Sequence, residues 1–363
     1  MTMELWTHAY SAPRAIVRSA RLAEDGGCDG LSVVDSQNLS GDPFIALAQA
    51  ANVTESLKLQ TGVSNSITRN AAALATAIAT VQSISRGRAV LGIGRGDSAL
   101  AHLGRAPARL PQFERYLTHL QTYLKGGRVA FDAIEDISLD AAPPVNELEL
   151  AHAPADSHIQ WIADTQSGDR KVPVEVAASG PKVIAIAART AERVVFTVGA
   201  SPERLQWGID LAREACRAAG REPAELKFGA YINCACHPDI DTARNLVRGG
   251  LTVYARFGIM HGRTSGPLTE NQREVLDTLR TTYNMNQHTR GDSDQASVLT
   301  PAFIDEYAIV GSPDTVIERL AQLHAMGIDK VILSGTRSGV DEATEQARGL
   351  LETEVLPVFR GAS

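Results

Sequence analysis

One stretch concentrates the residues that suggest chemistry. The run VLGIGRGDSALAHLG, Val90 to Gly104, sets glycines at every second position and then brings in Arg95 and Asp97, with Gly94 and Gly96 around them. Glycines so spaced let a backbone approach a flat or phosphorylated ligand. An aspartate aimed at that ligand can give or take a proton if a closed pocket raises its pKa. The spacing is GxGxG instead of GxGxxG, it falls on the fourth predicted strand instead of the first, and no helix begins at once. A dinucleotide-binding turn is therefore disfavoured. The string Arg-Gly-Asp-Ser recurs at Arg290 to Ser293, so it is read as chance and not as an adhesion signal.

Similar polar endings recur along the chain: Thr7-His8, Asp35-Ser36, Gly62-Val63-Ser64-Asn65, Ser179-Gly180, Gly199 and Ser334-Gly335-Thr336-Arg337, each closing a β-branched run. A cap or a turn explains any one of them. Asp35 can accept backbone hydrogen bonds after its strand, and Ser179-Gly180-Pro181 can simply start a helix, whose free N–H groups also make an anion site. Together they describe one rim at which successive strands end.

The elements that must carry this rim alternate. Eight predicted strands, MELWTH, DGLSVVD, LKLQTG, GRAVLGIG, VPVEVAA, RVVFTVG, LKFGAYINCA and DKVILSG, each have a helical stretch before or after them. Asp42 is placed to cap one helix, with Pro43 at its first position. Eight βα units favour a closed (β/α)8 TIM barrel over an open doubly wound sheet, with the chemistry at the C-terminal ends of the strands. Residues 1–363 read as a single domain. The acidic, irregular section 128–170 reads as an excursion after strand four with one or two edge strands, and 239–312 as a helical insertion after strand seven without obvious strands.

A net charge of -7 with no basic run, and only 5% aromatic residues, disfavour a nucleic-acid partner and favour a small-molecule substrate. The longest apolar runs fall short of the roughly 20 residues that span a bilayer. The opening MTMELWTHAY lacks a secretory pattern, which predicts a cytoplasmic protein with reduced thiols. Cys234 and Cys236 would share one face of a strand, and no second Cys or His pair follows at zinc spacing, so no metal site is expected.

The segment TGVSNSITRNAAALATAIATVQSISRGRAVLGIGRGDSALAHLG resembles one found in the bacterial luciferase-like flavin and deazaflavin oxidoreductases, with its strand-three bulge, S-x-GR turn and G-I-G-x-G-[DE] strand exit. VPVEVAASGPKVIAIAARTAERVVFTVGAS resembles the same family's phosphate-binding strand and helix, and YAIVGSPDTVIERLAQLHAMGIDKVIL its closing unit. The likeness is strongest to the branch that uses coenzyme F420, which includes methylenetetrahydromethanopterin reductase. It implies a non-prolyl cis peptide at Gly62-Val63 pressing on one face of the cofactor ring, with Ser64 and Asn65 lining the ring. It also implies that Ala178, Ser179 and Gly180 meet the phosphate tail and Val198-Gly199 flank it, and that Asp97 stands near the hydride-carrying carbon. Lys182, Arg189 and Arg193 are candidate contacts for a polyglutamate tail. Homodimers or higher homo-oligomers are implied in the same way.

One departure matters. Several F420 enzymes carry Asp-His after strand two, where this chain has Asp35-Ser36. Ser36 is no base near neutral pH without help, so His8 becomes the candidate proton relay. The leading expectation is hydride transfer between reduced F420 and a small organic substrate. An FMN-dependent monooxygenase and a non-catalytic flavin-binding paralogue are the alternatives. The substrate would be shaped by the insertion, whose Arg256, His261 and Arg263 either meet an anion or are solvated, the second being favoured.

Overall fold

The computed structural model describes residues 2–162, 171–335 and 341–360. Ten parallel-paired strands occur among them: β1 (Glu4–Ala9), β2 (Gly30–Val33), β3 (Lys58–Thr61), β4 (Ser64–Asn65), β5 (Ala89–Gly94), β6 (Val174–Ala178), β7 (Arg193–Phe196), β8 (Lys227–Cys236), β9 (Ile309–Gly311) and β10 (Lys330–Ser334). Eight of them close a barrel in the order β1, β2, β3, β5, β6, β7, β8, β10, because β10 pairs with both β1 and β8. β4 resumes the line of β3 and pairs with β5 through Ser64 and Ile93. β9 extends the upper part of β8, pairing Cys234 with Ile309.

That last strand corrects the reading of 239–312, which was expected to contain no strand. Three residues, Ile309 to Gly311, are too few to show a period of two. The excursion is corrected as well. Its described part holds two short 3-10 turns, Phe131–Ala133 and Val145–Leu148, and a single antiparallel bridge between Val129 and Ser157. No edge strand forms among the described residues there, and 163–170 lie outside them. Asp136 ties the excursion down by accepting the Ala71 amide at 2.7 Å.

The apolar face of each surrounding helix packs on the outward face of the barrel, as alternation on the strands requires. Asp42 caps the helix Pro43–Val53 by accepting from Phe44 N and Ile45 N. Arg88, in the S-x-GR turn, donates to the carbonyls of Ala51, Thr54 and Leu57 and so closes the end of the same helix. The insertion has its own apolar cluster around Leu251, Leu276, Phe303 and Tyr307. Its first helix, Ile240–Phe257, brings Gly250, Val253, Tyr254 and Phe257 to the barrel mouth.

The lower barrel interior is ionic. Lys330 on β10, fully buried, donates to Glu175 on β6 at 2.7 Å and to Gln60 on β3, and its ammonium sits 3.4 Å from the centre of the Trp6 ring. Glu175 also pairs with Arg193, the first residue of β7. One buried carboxylate thus serves two cations, and burial pulls Lys330 down to about 8. Removing the carboxylate would strand both cations, and a broken buried pair costs about 3–5 kcal/mol. Glu175→Gln should therefore lose at least about 3 kcal/mol in urea unfolding, whereas the exposed pair-breaking change Glu135→Gln, which faces Arg115, should lose less than about 1.

Candidate functional site

The strand ends open into one cavity of about 820 Å³. Its floor begins at the break between β3 and β4, where the Gly62-Val63 peptide bond is cis, at the position the resemblance implies. Gly62 donates to Val33 O at 2.6 Å, and a Cβ at this position would stand 2.0 Å from Ser32 Oγ, so only glycine fits. The Gly62 carbonyl faces His8 Nε2 at 3.2 Å. A carbonyl only accepts, so this contact fixes the Nε2–H tautomer of His8 and leaves Nδ1 as an acceptor. Burial holds the imidazole below its ordinary range, so it is neutral at pH 7. His8 stands edge-on to Tyr231, which stacks on Tyr254. His8 thus braces the bulge carbonyl, while the relay role remains an expectation.

Asp35 is buried and fully engaged. It accepts from Ser64 Oγ at 2.6 Å, from Gln37 Nε2 at 2.6 Å and from Arg69 Nη1 at 2.8 Å. Arg69 reaches on to Asp42 at 2.7 Å and lies over the Phe44 ring. Ser64 does not line the cavity, against the expectation that it lines a ring: its hydroxyl is committed to Asp35, which itself stands on the cavity wall. Asn65 does reach the cavity wall. Its Oδ1 also caps the following turn by accepting from Ile67 N and Thr68 N. Ser36 faces Ser98 across the mouth, their hydroxyls 3.4 Å apart.

On the opposite wall Gly94, Arg95, Gly96 and Asp97 all line the cavity. A Cβ on Gly94 would lie 3.2 Å from Val63 Cγ2, so Gly94 makes room for the bulge side chain before it makes room for any ligand. Arg95 donates to Ala108 O at 2.6 Å and holds the loop that follows. Asp97 forms an ion pair with Arg256 from the insertion helix. Both side chains are 17% exposed, which overturns the expectation that Arg256 is solvated. The closing helix carries it inward, 159 positions from its partner. Arg263 is exposed as expected, and the side chain of His261 lies outside the described residues, as do Thr336 and Arg337.

The proposed phosphate end is only partly as expected. Ser179 lines the cavity beside Val183, and Gly180 stands at the N-cap of the helix Pro181–Thr190 with no side-chain cap. Ala178 is buried, its carbonyl accepting from Thr197 N. Val198 and Gly199 do not reach the cavity. Alternation on the strand gives that face to Thr197. Val198 O holds Arg204, and Gly199, at φ +83, lies against the Tyr307 ring. Of the three candidate basic contacts only Lys182, exposed at this helix start, is at the right end. Arg189 ends the helix and pairs with Glu114, and Arg193 begins its strand in the buried ionic cluster. In a parallel barrel both positions are at the opposite pole.

The insertion completes the wall with Phe257, Met260, Met285 and His288. His288 Nδ1 lies 2.7 Å from the Tyr283 hydroxyl. Burial, with Arg256 and His102 nearby, holds His288 down to about 4. Tyr231, Tyr283 and His288 had no signal in the sequence, because none belongs to a motif and Tyr283 and His288 lie far from the strand ends they join, whereas Arg69 lies in the segment that carries the family resemblance.

A closed parallel barrel with a bulged third strand and a glycine-lined cavity at the C-terminal ends of its strands defines a (β/α)8 barrel protein with its site at the strand exits. The chain belongs to the luciferase-like monooxygenase family, whose model matches residues 2–330. It is 28% identical to the 5,10-methylenetetrahydromethanopterin reductase of Archaeoglobus fulgidus over 94% of both chains. It is 29% identical to the F420-dependent glucose-6-phosphate dehydrogenase of Mycolicibacterium fortuitum, over 64% of this chain and 68% of that one. The solved coenzyme F420 dependent tetrahydromethanopterin reductase from Methanopyrus kandleri shares the fold, with a TM-score of 0.73 at 20% identity over 99% of this chain and 100% of that one. No helix among the described residues is long and apolar enough to cross a membrane.

Two outcomes follow from the geometry. A double-mutant cycle of Asp97→Asn and Arg256→Met, read by urea unfolding, should give a coupling energy of about 1 kcal/mol or more. His288 binds a proton less tightly folded than unfolded, where its value is 6.5. Acid therefore favours the unfolded chain, and the stability present above pH 6.5 drains as pH falls toward 4. His288→Gln should flatten the stability slope across that window.

Proposed function

We propose that this protein is an F420-dependent oxidoreductase, which moves a hydride between the reduced deazaflavin and an electrophilic carbon of a small organic substrate. The observation that carries the reading is the pairing, in one cavity, of the bulge at Gly62-Val63 with Ser179 and Val183 at the uncapped start of the helix Pro181–Thr190. The first is a platform for a flat ring, and the second is an anion site. Space exists for the group: a Cβ on Gly180 would meet nothing within 4 Å, and the cavity volume suits a tricyclic ligand. Likeness to an F420-dependent glucose-6-phosphate dehydrogenase supports the deazaflavin over FMN.

In this reading Val63 and Asn65 bear on the ring, and Ser179, Gly180 and the Lys182 amide hold the phosphate. The bound deazaflavin supplies hydride chemistry. The chain's own residues orient and enclose: His8 fixes the bulge carbonyl, Asp35 and Arg69 hold Ser64 behind it, and the Asp97–Arg256 pair ties the insertion over the mouth. Ser36 has only a second hydroxyl beside it, so an alcohol-oxidising base at that position finds no support.

Fluorescence titration should show F420 binding at micromolar or tighter affinity, and the cofactor co-purifying from an F420-producing host should have the deazaflavin mass and spectrum. Micromolar FMN binding without F420 binding would overturn the reading in favour of the monooxygenase. Gly180→Asp supplies a good N-cap, so the fold should be kept or stabilised. It also puts a carboxylate where the phosphate is proposed to sit, so F420 affinity should fall at least about tenfold, roughly 1.4 kcal/mol.

A further inference from the structure

We propose that Tyr283 and His288 form a donor dyad on the substrate side of the cavity: the Tyr283 hydroxyl fixes His288 as its Nε2–H tautomer, and that N–H receives the carbonyl oxygen or imine nitrogen next to the carbon that takes the hydride. This deepens the function proposed above and rests on it for the hydride donor.

A guanidinium only donates, and Arg256 lies 4.8 Å over the Tyr283 ring with its charge beside the phenol oxygen. That neighbour favours the phenol oxygen as an acceptor, and the phenol's own proton goes elsewhere. Two acceptors are in reach, Thr252 Oγ1 and His288 Nδ1. Thr252 spends its hydroxyl proton on Gly249 O at 2.8 Å, which leaves it a hydroxyl lone pair. An imidazole nitrogen is the stronger acceptor, and it stands at 2.7 Å, a short distance for a neutral pair. Burial keeps the phenol protonated, because Tyr283 is pushed up from its ordinary value. The phenol proton therefore points at Nδ1, and the His288 proton is on Nε2.

The charges facing the pair sharpen this. Arg256 and His102 both disfavour a second proton on His288, which stays neutral above about pH 4. Arg256 is itself anchored by Asp97. His288 lines the cavity from the insertion, as do Met260, Met285 and Phe257. A neutral N–H in such a wall selects a ligand with an acceptor atom and rejects one without, because an acceptor that loses water needs a replacement donor. In the transfer the hydride adds to the substrate carbon, the C=O or C=N π pair moves onto the heteroatom held by His288, and solvent supplies the proton that completes reduction. His288 itself keeps its proton.

The test needs no knowledge of the natural substrate. In protein with 15N-labelled histidine, His288 should show a protonated Nε2 and a bare Nδ1 without any ligand. An Nδ1–H tautomer would overturn the dyad whatever the cofactor proves to be. In the F420-loaded protein, cyclohexanone should shift the His288 Nε2 resonance saturably, and methylenecyclohexane, of similar shape but with no acceptor, should not. An unshifted Nε2 at saturating cyclohexanone, or an equal shift with both probes, would overturn the substrate role. Tyr283→Phe should mix the tautomers and weaken cyclohexanone about fivefold with F420 affinity retained, a loss in the range of one neutral hydrogen bond. His288→Leu should lose the preference for cyclohexanone, and His288→Gln, which keeps a side-chain N–H, should restore part of it. A merely packing role predicts no difference between Leu and Gln. If F420 does not bind at all, the function fails while the tautomer measurement still stands.

Discussion

The architecture depends on a buried ionic knot. Lys330 sits on the last barrel strand and Glu175 and Gln60 on strands across the barrel, so their bonds pin the closing strand to the far wall. A lone buried charge would cost many kcal/mol, which leaves these residues with each other as their only affordable partners. Arg193 and the Trp6 face complete the set. With the lower half of the barrel filled in this way, the only roomy end is the one where the strands finish.

At that end, three independent pieces of chain meet. The strand exits supply glycine-rich backbone, the bulge after β3 supplies Val63, and the insertion after β8 supplies Tyr254, Phe257 and His288. The Asp97–Arg256 pair joins the first piece to the third. An aspartate that looked like a free proton carrier is thus ion-paired, and its partner lies over the ring of Tyr283, which in turn meets His288. Asp35 on the wall is as consequential: it engages three donors at once, so Arg69 and Ser64 have fixed positions, and Ser64 is the residue that directly follows the bulge.

Within a family that hosts both monooxygenases and F420 enzymes, the fold alone selects no chemistry. This chain differs at the rim. It carries Ser36 facing Ser98 after Asp35, and its cavity imidazoles stand elsewhere, His8 under the bulge and His102 and His288 on other parts of the wall.

The sequence determined what local periodicity and turn chemistry can encode. Alternation marked the eight barrel strands, Asp42-Pro43 marked a helix start, and glycines marked where backbone must run close to backbone. A run such as VPVEVAA is legible as a strand, yet nothing in it says that Glu175 points inward to a lysine 155 positions away. Thr197 and Val198 were equally ambiguous, since register alone decides which of two neighbours faces the barrel. Only the closed tertiary structure settled those choices, and it paired Asp97 with Arg256, kept Ser64 off the cavity wall, sent Arg189 and Arg193 to the far pole, and set Tyr283 against His288. The physical reason is range. Backbone conformation responds to residues a few positions away, whereas a charge or a hydrogen-bond donor takes its partner from whatever the barrel brings within about 3 Å.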